Sequence, residues 1–157
     1  MTRLIALLSV LALTVSACGS GGGGKYRVGD KSKVQGRVLQ EVNASRGASG
    51  LTALQLNSQL SGASARHAKD MSFQNRPWHW GSDGSSPMER AARAGYYGRF
   101  LGENVSETFE DEIVTLNAWM GQSDTRAVVM DPDARDLGFG WHQDGNGKIW
   151  WTLMTGG

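Results

Sequence analysis

His79 and Glu103 are two residues of this 157-residue chain whose types could carry acid–base chemistry on facing loops. His79 lies between Trp78 and Trp80, and Glu103 comes after a short predicted helix, directly before Asn104. An imidazole that a carboxylate orients can act as a general base and activate a hydroxyl group or a water molecule. His79 and Glu103 are therefore the candidate catalytic residues of a hydrolase that needs no metal.

The same pair permits two other interpretations. A hydrogen bond between His79 and Glu103 could hold two loops together without any chemistry, and the chain has no G-x-S-x-G motif to favour catalysis. The indoles of Trp78 and Trp80 could instead form a wall for a sugar ring, a peptide or a lipid headgroup. An aromatic face buries apolar area there while the ring N–H still finds a partner. We then expect at least one of these indoles to be partly exposed.

Helices are predicted around these residues from apolar spacing and capping residues. A first helix carries valines at helical spacing and ends near Gly47, and Asn57 can cap a second helix. Ser86, Pro87 and Glu89 form a capping box with proline at the first helical position, which predicts a third, short helix. Thr108 is the expected cap of a later helix. The apolar stripe of the second helix comprises Leu60, Ala63, Ser64, His67, Ala68 and Met71.

The end of the chain changes to a β pattern. Residues 137–142 and 148–155 flank a turn rich in Asp, Asn and Gly, which predicts a β-hairpin. Trp150 and Trp151 fall on opposite faces of the second strand, so both faces of the sheet are expected to be buried. The predicted fold class is α+β: a three-layer α-β-α sandwich in which helices cover a small antiparallel sheet.

Residues 1–17 predict a signal peptide rather than part of the fold. Arg3 supplies a positive charge, and the apolar run that follows it is too short to span a membrane. Residues 15–18, Val-Ser-Ala-Cys, resemble a bacterial lipobox. That resemblance implies that Cys18 carries a diacylglyceryl group and becomes the new N-terminus after cleavage. An ordinary secretory signal with an incidental cysteine is the alternative.

Lipidation at Cys18 would attach the protein to a membrane, because two or more acyl chains give stable anchoring. Residues 18–31 are rich in glycine and predict a tether, and residues 32–157 predict one folded domain. The expected location is outside the cytoplasm, on the cell envelope. Gly19 after the cysteine favours the outer membrane if the cell is Gram-negative.

Charge and cysteine content narrow the classes of partner. The chain has a formal net charge of +1, and Arg3 of the predicted signal peptide accounts for the excess. No basic patch stands out, so nucleic acid is not an expected partner. Cys18 is the only cysteine, so the domain must be stabilised by its core rather than by disulfides.

Residues 40–157 resemble a bacterial CAP domain, the superfamily of cysteine-rich secretory proteins, antigen 5 and plant pathogenesis-related proteins type 1. The resemblance lies in motifs that follow one another in the family order. They are Val42-Asn43-Ala44-Ser45-Arg46, Ala65-Arg66-His67-Ala68, His79 with Asp83-Gly84, Gly102-Glu103-Asn104, Trp119-Met120, Asp131-Pro132, Leu137-Gly138-Phe139-Gly140 and Trp150-Trp151-Thr152.

The resemblance implies a central cavity, which two histidines and two acids line and which binds zinc in some members. His79 matches the first histidine, and Glu103 matches the acid of the Gly-Glu-Asn motif. Thr125 stands where the second histidine would be, and Gln122 falls near the place of the second acid. Because zinc takes three or four N, S or O ligands, we expect no zinc site and no other cofactor.

An incomplete set of family residues favours binding over catalysis. The main hypothesis is an envelope-anchored lipoprotein that binds a lipid, a peptide or a cell-wall fragment. The alternatives are a metal-independent, peptidase-like hydrolase and a scaffold that recruits another envelope protein. The expected ligand-binding residues are Trp78, His79, Trp80, Glu103, Asn104, Gln122 and Thr125.

Overall fold

A four-stranded sheet between two layers of helices organises the domain. The computed structural model describes residues 26–108 and 110–157, so residues 1–17, Cys18 and the tether up to residue 25 lie outside it. The strands lie in the order β1-β3-β4-β2. The elements are α1 Lys31–Ala48, β1 Gln55–Leu56, α2 Ser58–Gln74, α3 Pro87–Arg93, β2 Phe100–Thr108, α4 Glu112–Met120, α5 Ser123–Val129, β3 Asp136–Gln143 and β4 Ile149–Gly156. Of the helices described, none is long and apolar enough to cross a membrane.

The predicted α+β fold class is confirmed, with one addition to the sheet. β4 pairs antiparallel with both β2 and β3, so the predicted hairpin is present. The short strand β1, which was not predicted, pairs parallel with β3. The sheet is therefore mixed at one edge rather than purely antiparallel.

Two of the three predicted helix caps are confirmed. The Asn57 side chain accepts from the first turn of α2, and Ser86 and Glu89 form the reciprocal capping box of α3. Thr108 was expected to cap α4, but that prediction is wrong: Thr108 ends β2, and the Asp111 carboxylate accepts from the first turn of α4. A carboxylate two residues before a first-turn N–H is an equally good cap, and strand pairing continues through Thr108.

β4 is buried along its whole length and separates two cores. Ile149, Trp151 and Leu153 pack with α1 and α4 on one face, which we call the core face. Trp150 and Met154 pack with α2 and α3 on the other, which we call the site face. This alternation follows from the two-residue period of a strand and confirms the expected burial of both faces.

α2 lies so close to β3 that two strand positions must be glycine. A Cβ atom on Gly138 would collide with the backbone of Leu60, and one on Gly140 would collide with that of Ala65. The same helix face carries the predicted apolar stripe, which is buried as expected and includes His67. Close packing of α2 on β3 and β4 therefore fixes the backbone from which the candidate site is built.

A buried arginine joins the elements of the core face. Arg46 of α1 is fully buried, and its guanidinium donates only to backbone carbonyl oxygens. The acceptors are Thr52, Val129, Asp131 and Ala134, at 2.8, 2.9, 2.9 and 3.3 Å. This one side chain holds the end of α1 to the segment that leads into β3.

The first described residues contact the domain. The Tyr26 hydroxyl donates to Glu112 at 2.7 Å, and the Gln143 side chain bonds the backbone of both Tyr26 and Val28. Burial and the Glu112 carboxylate raise the pKa of Tyr26 to about 12. The part of the predicted tether that the structure describes, residues 26–30, therefore begins against α4 and the end of β3.

Candidate functional site

The His79 and Glu103 side chains form a direct hydrogen bond. The Nδ1 atom of His79 lies 2.9 Å from Oε1 of Glu103. The Glu103 side chain is 1% exposed and the His79 side chain 52% exposed. The structure thus brings the two residues together, with the carboxylate inside and the imidazole at the surface, but Glu103 lies in strand β2 and not on a loop as expected.

Arg90 of α3 pairs with the same carboxylate, an ion pair that no sequence pattern predicted. Its Nη2 lies 3.1 and 2.8 Å from the two carboxylate oxygens of Glu103. Its Nη1 donates to the carbonyl oxygens of His79 and Ser85 at 2.8 and 2.9 Å. A guanidinium that contacts both carboxylate oxygens neutralises a buried carboxylate and fixes its orientation. Arg90 also holds the loop that carries His79 against α3.

His67 lies behind this pair and is neutral. Its imidazole is fully buried, with Nε2 2.9 Å from the carbonyl oxygen of Trp78 and 3.9 Å from Oε1 of Glu103. A carbonyl oxygen only accepts, so Nε2 carries the proton. Burial lowers the pKa of His67, although the Glu103 carboxylate acts in the opposite direction. His67 is thus buried with the predicted stripe of α2, and its ring forms a hydrogen bond.

The two indoles beside His79 differ in exposure. Trp80 is 51% exposed, whereas Trp78 is half-buried. The Trp78 ring N–H donates to the Gln74 side chain at 2.8 Å, and the guanidinium of Arg76 lies 3.8 Å from the ring centroid. The expectation that at least one indole is partly exposed is confirmed.

Asn104 and Thr125 belong to the other face of the sheet. Asn104 pairs in register with Leu153 of the core face, whereas Glu103 pairs with Met154 of the site face. The Asn104 amide donates to the Thr125 carbonyl oxygen at 2.8 Å, and the Thr125 hydroxyl donates to the Trp119 carbonyl oxygen at 2.7 Å. Both side chains thus donate to backbone rather than to the His79–Glu103 pair.

Gln122 is the N-cap residue of α5, is exposed, and makes no capping bond through its side chain. The seven expected ligand-binding residues therefore do not form one cluster. Trp78, His79, Trp80 and Glu103 lie together, and Asn104 and Thr125 lie across β2 from them.

An open cavity of about 520 Å³ lies beside the pair, between α2, the loop 81–85 and α3. His79, Glu103 and the two indoles do not line it, so the cavity is displaced from the cleft that the sequence predicts. It adjoins the pair through two shared residues, because Arg90 and His67 both form part of its wall. The remaining charged residues of the wall are Arg66, Asp70, Asp83 and Arg93.

The charges of the cavity wall have both signs. Hydrogen bonds from Ser85 and the adjacent Arg93 guanidinium hold the pKa of Asp83 well below its usual range. Burial raises the pKa of Asp70, but bonds from Ser82 and Gln74 outweigh it and leave the pKa lowered. Arg66 forms no ion pair with any described residue. The wall thus holds two ionised acids, two paired arginines and one arginine that is not committed to an acid.

These residues do not fit the zinc site of the family. Within residues 26–108 and 110–157, no group of three or more His, Cys, Asp and Glu side chains could hold a metal ion. Both oxygens of Glu103 are bonded to Arg90, so a guanidinium already supplies the positive charge that a metal would bring. Thr125 offers only a hydroxyl group that is bonded elsewhere.

Comparison with known proteins identifies the family. The model of the cysteine-rich secretory protein family, CAP, matches residues 39–154, which is most of the chain. This chain belongs to the CAP family. The expected resemblance is thereby confirmed, and the CAP match includes His79, Glu103, Arg90 and the whole cavity wall.

Relatives of this CAP domain come from several bacteria. The uncharacterized protein YkwD of Bacillus subtilis is 26% identical over 125 residues, which are 80% of this chain and 48% of that protein. The chain therefore spans about half the length of this relative. An outer surface protein from Borrelia burgdorferi has a TM-score of 0.69 and 15% identity over 81% of this chain and 94% of that one. An extracellular protein with an SCP domain from Bacillus anthracis has a TM-score of 0.70 and 18% identity over 84% and 45%. Both solved structures share the fold.

Proposed function

We propose that this chain is an exported, lipid-anchored CAP protein that binds a ligand without transforming it. The signal-peptide pattern and the lipobox at Cys18 support export and anchoring. The names of two structural neighbours, an outer surface protein and an extracellular protein, agree with export. The anchor lies in the outer membrane if the cell is Gram-negative.

The pairing of Glu103 with Arg90 is the observation that carries the binding role. Both oxygens of the buried Glu103 carboxylate are bonded to the Arg90 guanidinium, so neither is free to attack a substrate. The pairing does fix the loop of His79 beside the 520 Å³ cavity. The ligand sits in this cavity with His79 and the indoles at its side.

Charged groups of both signs in the cavity wall favour a ligand that carries both signs. A peptide, or a cell-wall fragment that contains a peptide, offers ammonium and carboxylate groups for Asp70, Asp83 and Arg66. A lipid fits this cavity less well, because its acyl chains would contact few apolar residues in the wall. The protein needs no metal or other cofactor for this role, since Arg90 supplies the cation beside Glu103.

Native mass spectrometry with soluble muropeptides, the disaccharide-peptides released from peptidoglycan by a muramidase, tests this proposal. We expect a discrete adduct on the mature chain in detergent micelles. Arg66→Gln should weaken it at least about tenfold, since a hydrogen bond to a charged group contributes roughly 1.5–3 kcal/mol. The matched control is Arg126→Gln, which alters an exposed arginine on α5. An adduct unaffected by Arg66→Gln, or no adduct at all, would contradict the peptide assignment.

A second candidate function is hydrolysis, and one observation favours it. The exposed His79 imidazole receives its orientation from Glu103 through Nδ1, which is the arrangement of a general base. If peptide bonds of the muropeptides are cleaved, His79→Ala should abolish turnover and leave the melting temperature nearly unchanged. Stable muropeptides in the presence of the wild-type chain would exclude this function for that substrate. If neither adduct nor cleavage is observed, a scaffold that recruits another envelope protein becomes the leading hypothesis.

A further inference from the structure

Exposed aromatic side chains lie at or near the C-terminal end of α2. Phe73 is 85% exposed and Trp80 51% exposed. Gln74 joins the indole segment to this helix end, because its side chain accepts from the Trp78 ring N–H and donates to the Trp80 carbonyl oxygen at 3.2 Å. We call the surface formed by Phe73, Trp78 and Trp80 the aromatic end. Large apolar groups exposed together in this way are typical of an interaction surface.

Two cations accompany the aromatic end. Arg76 stacks on Trp78, and Lys69 is exposed one turn earlier on α2. Neither residue forms an ion pair with a described residue. Two acids lie near this surface, and both are bonded to other side chains: Asp70 to Ser82 and Gln74, and Asp144 to Ser72 and Trp150. The surface therefore combines amphipathic rings with two cations that form no ion pair with a described residue.

The described chain begins close to this surface. The carbonyl oxygen of Tyr26 accepts from Gln143 at 2.7 Å, and Asp144, the next residue, accepts from Ser72 at 2.6 Å. Ser72 directly precedes Phe73 on α2. The last residue of β3 thus contacts the first described residue, and the next residue contacts the helix end that carries Phe73.

The distance from the lipidated cysteine to this point is short. Tyr26 comes eight residues after Cys18. Eight residues span at most about 28 Å even when fully extended. A bilayer that holds the acyl chains of Cys18 must therefore lie within that distance of Tyr26, and Tyr26 packs where β3 ends and turns towards β4.

We propose that the aromatic end docks on the surface of the bilayer to which Cys18 is anchored. The proposal rests on the lipid anchor of the proposed function. Tryptophan and phenylalanine gain free energy at the headgroup level, where apolar area is buried while the indole N–H stays hydrated. Arg76 and Lys69 add attraction to anionic headgroups. Docking would orient the domain, so that the loop carrying His79 faces the membrane region rather than bulk solvent.

Tryptophan quenching in proteoliposomes tests this orientation. The full chain, expressed with its own signal sequence, is reconstituted into vesicles of phosphatidylcholine and phosphatidylglycerol that contain a lipid with a nitroxide near its headgroup. We expect quenched tryptophan emission in the wild type. Trp80→Phe should remove most of the quenching, and Phe73→Ser should reduce it. The matched control is Tyr97→Ser, because Tyr97 is 97% exposed but lies after α3, outside the aromatic end.

Sedimentation of the same vesicles separates the two proposals. A chain that stays in the supernatant would overturn the anchor and the docking together. A chain that sediments with the vesicles but shows no quenching, or equal quenching in all variants, would overturn the docking alone and leave the anchor intact. In that case the aromatic end would be assigned to a protein partner. Sedimentation with quenching that depends on Trp80 and Phe73, but not on Tyr97, supports both.

Discussion

An arginine packs on each face of the sheet, and the two arginines have different partners. On the core face, Arg46 is fully buried and donates only to backbone carbonyl oxygens. On the site face, Arg90 pairs with a carboxylate and forms part of an open cavity wall. Both guanidiniums join elements distant in sequence. Only the second keeps ionisable neighbours, Glu103 and His79, at the edge of a space that a ligand can enter.

Two adjacent residues of β2 point to opposite faces of the sheet, and they differ in the same way as the two arginines. Glu103 points to the site face and is charged, whereas Asn104 points to the core face and bonds a backbone carbonyl oxygen. A buried polar group that is hydrogen-bonded to the backbone stabilises the fold. A buried charge that is paired with another charge costs desolvation free energy, but it keeps an ionisable group at the site. Stabilising the fold and maintaining the site are therefore separable tasks in this domain.

The largest effect is expected for Arg46→Met. Several buried carbonyl oxygens would lose their donor, each at about 1–3 kcal/mol, so the free energy of unfolding should fall by about 4 kcal/mol. Urea denaturation followed by circular dichroism measures it. Arg126→Met, at an exposed position, should change little. A loss below about 1 kcal/mol would show that water replaces the guanidinium and would weaken the contrast between the two faces.

Arg90→Met should cost about 3 kcal/mol of unfolding free energy at neutral pH, because it leaves the Glu103 carboxylate buried without its cation. The double variant Arg90→Met/Glu103→Gln should recover a large part of the loss. This recovery distinguishes a charge pair from simple packing, which the second substitution could not restore. The same urea titration serves for both variants. Equal stability of the single and double variants would contradict the pairing.

Gly140→Ala should destabilise the domain by about 2 kcal/mol, since a Cβ atom would push α2 away from β3. The control is Gly36→Ala on the exposed side of α1, where a Cβ meets no neighbour. That variant should gain about 0.5–1 kcal/mol through helix propensity. Thermal unfolding should therefore shift in opposite directions for the two alanines.

The smallest effect is a dependence of stability on pH that involves His67. Its folded-state pKa is lowered below the ordinary 6.5, so the unfolded chain binds a proton more readily than the folded one. Stability from this residue is present above about pH 6.5 and decreases as the pH falls through and below that value. His67→Gln should flatten this part of the stability profile, whereas His142→Gln at a partly exposed position should retain it. An unchanged profile in His67→Gln would assign the slope to other groups.

Local signals allowed much of the fold to be predicted from the sequence. The stripe of α2, the capping box at Ser86 and the hairpin around residues 144–147 each depend on neighbouring residues, and each is confirmed. The start of α4 was misplaced, because Thr108 and Asp111 are both good caps and only the extent of β2 decides between them. Strand β1 is two residues long and depends on pairing with a distant strand, which no local pattern predicts.

The site was less predictable because its key partner comes from tertiary packing. His79 and Glu103 could be singled out by type and motif, but nothing in the sequence marks Arg90 as the partner of Glu103 rather than an exposed residue of a short helix. The cavity wall combines α2 with α3: Arg66 and Asp70 are four residues apart on α2, and Arg90 and Arg93 are three apart on α3. That spacing is a usable signal only once the two helices are known to face each other.

The position of β4 determines how late during synthesis the domain can fold. It is the last described strand to emerge during synthesis, yet it lies between β2 and β3 and every residue of it is buried. Until β4 exists, β2 and β3 have no common partner and neither core can close. A ribosome must therefore finish almost the whole domain before the sheet can assemble. This delay favours transport of a chain through a narrow channel, because the chain remains unfolded for longer.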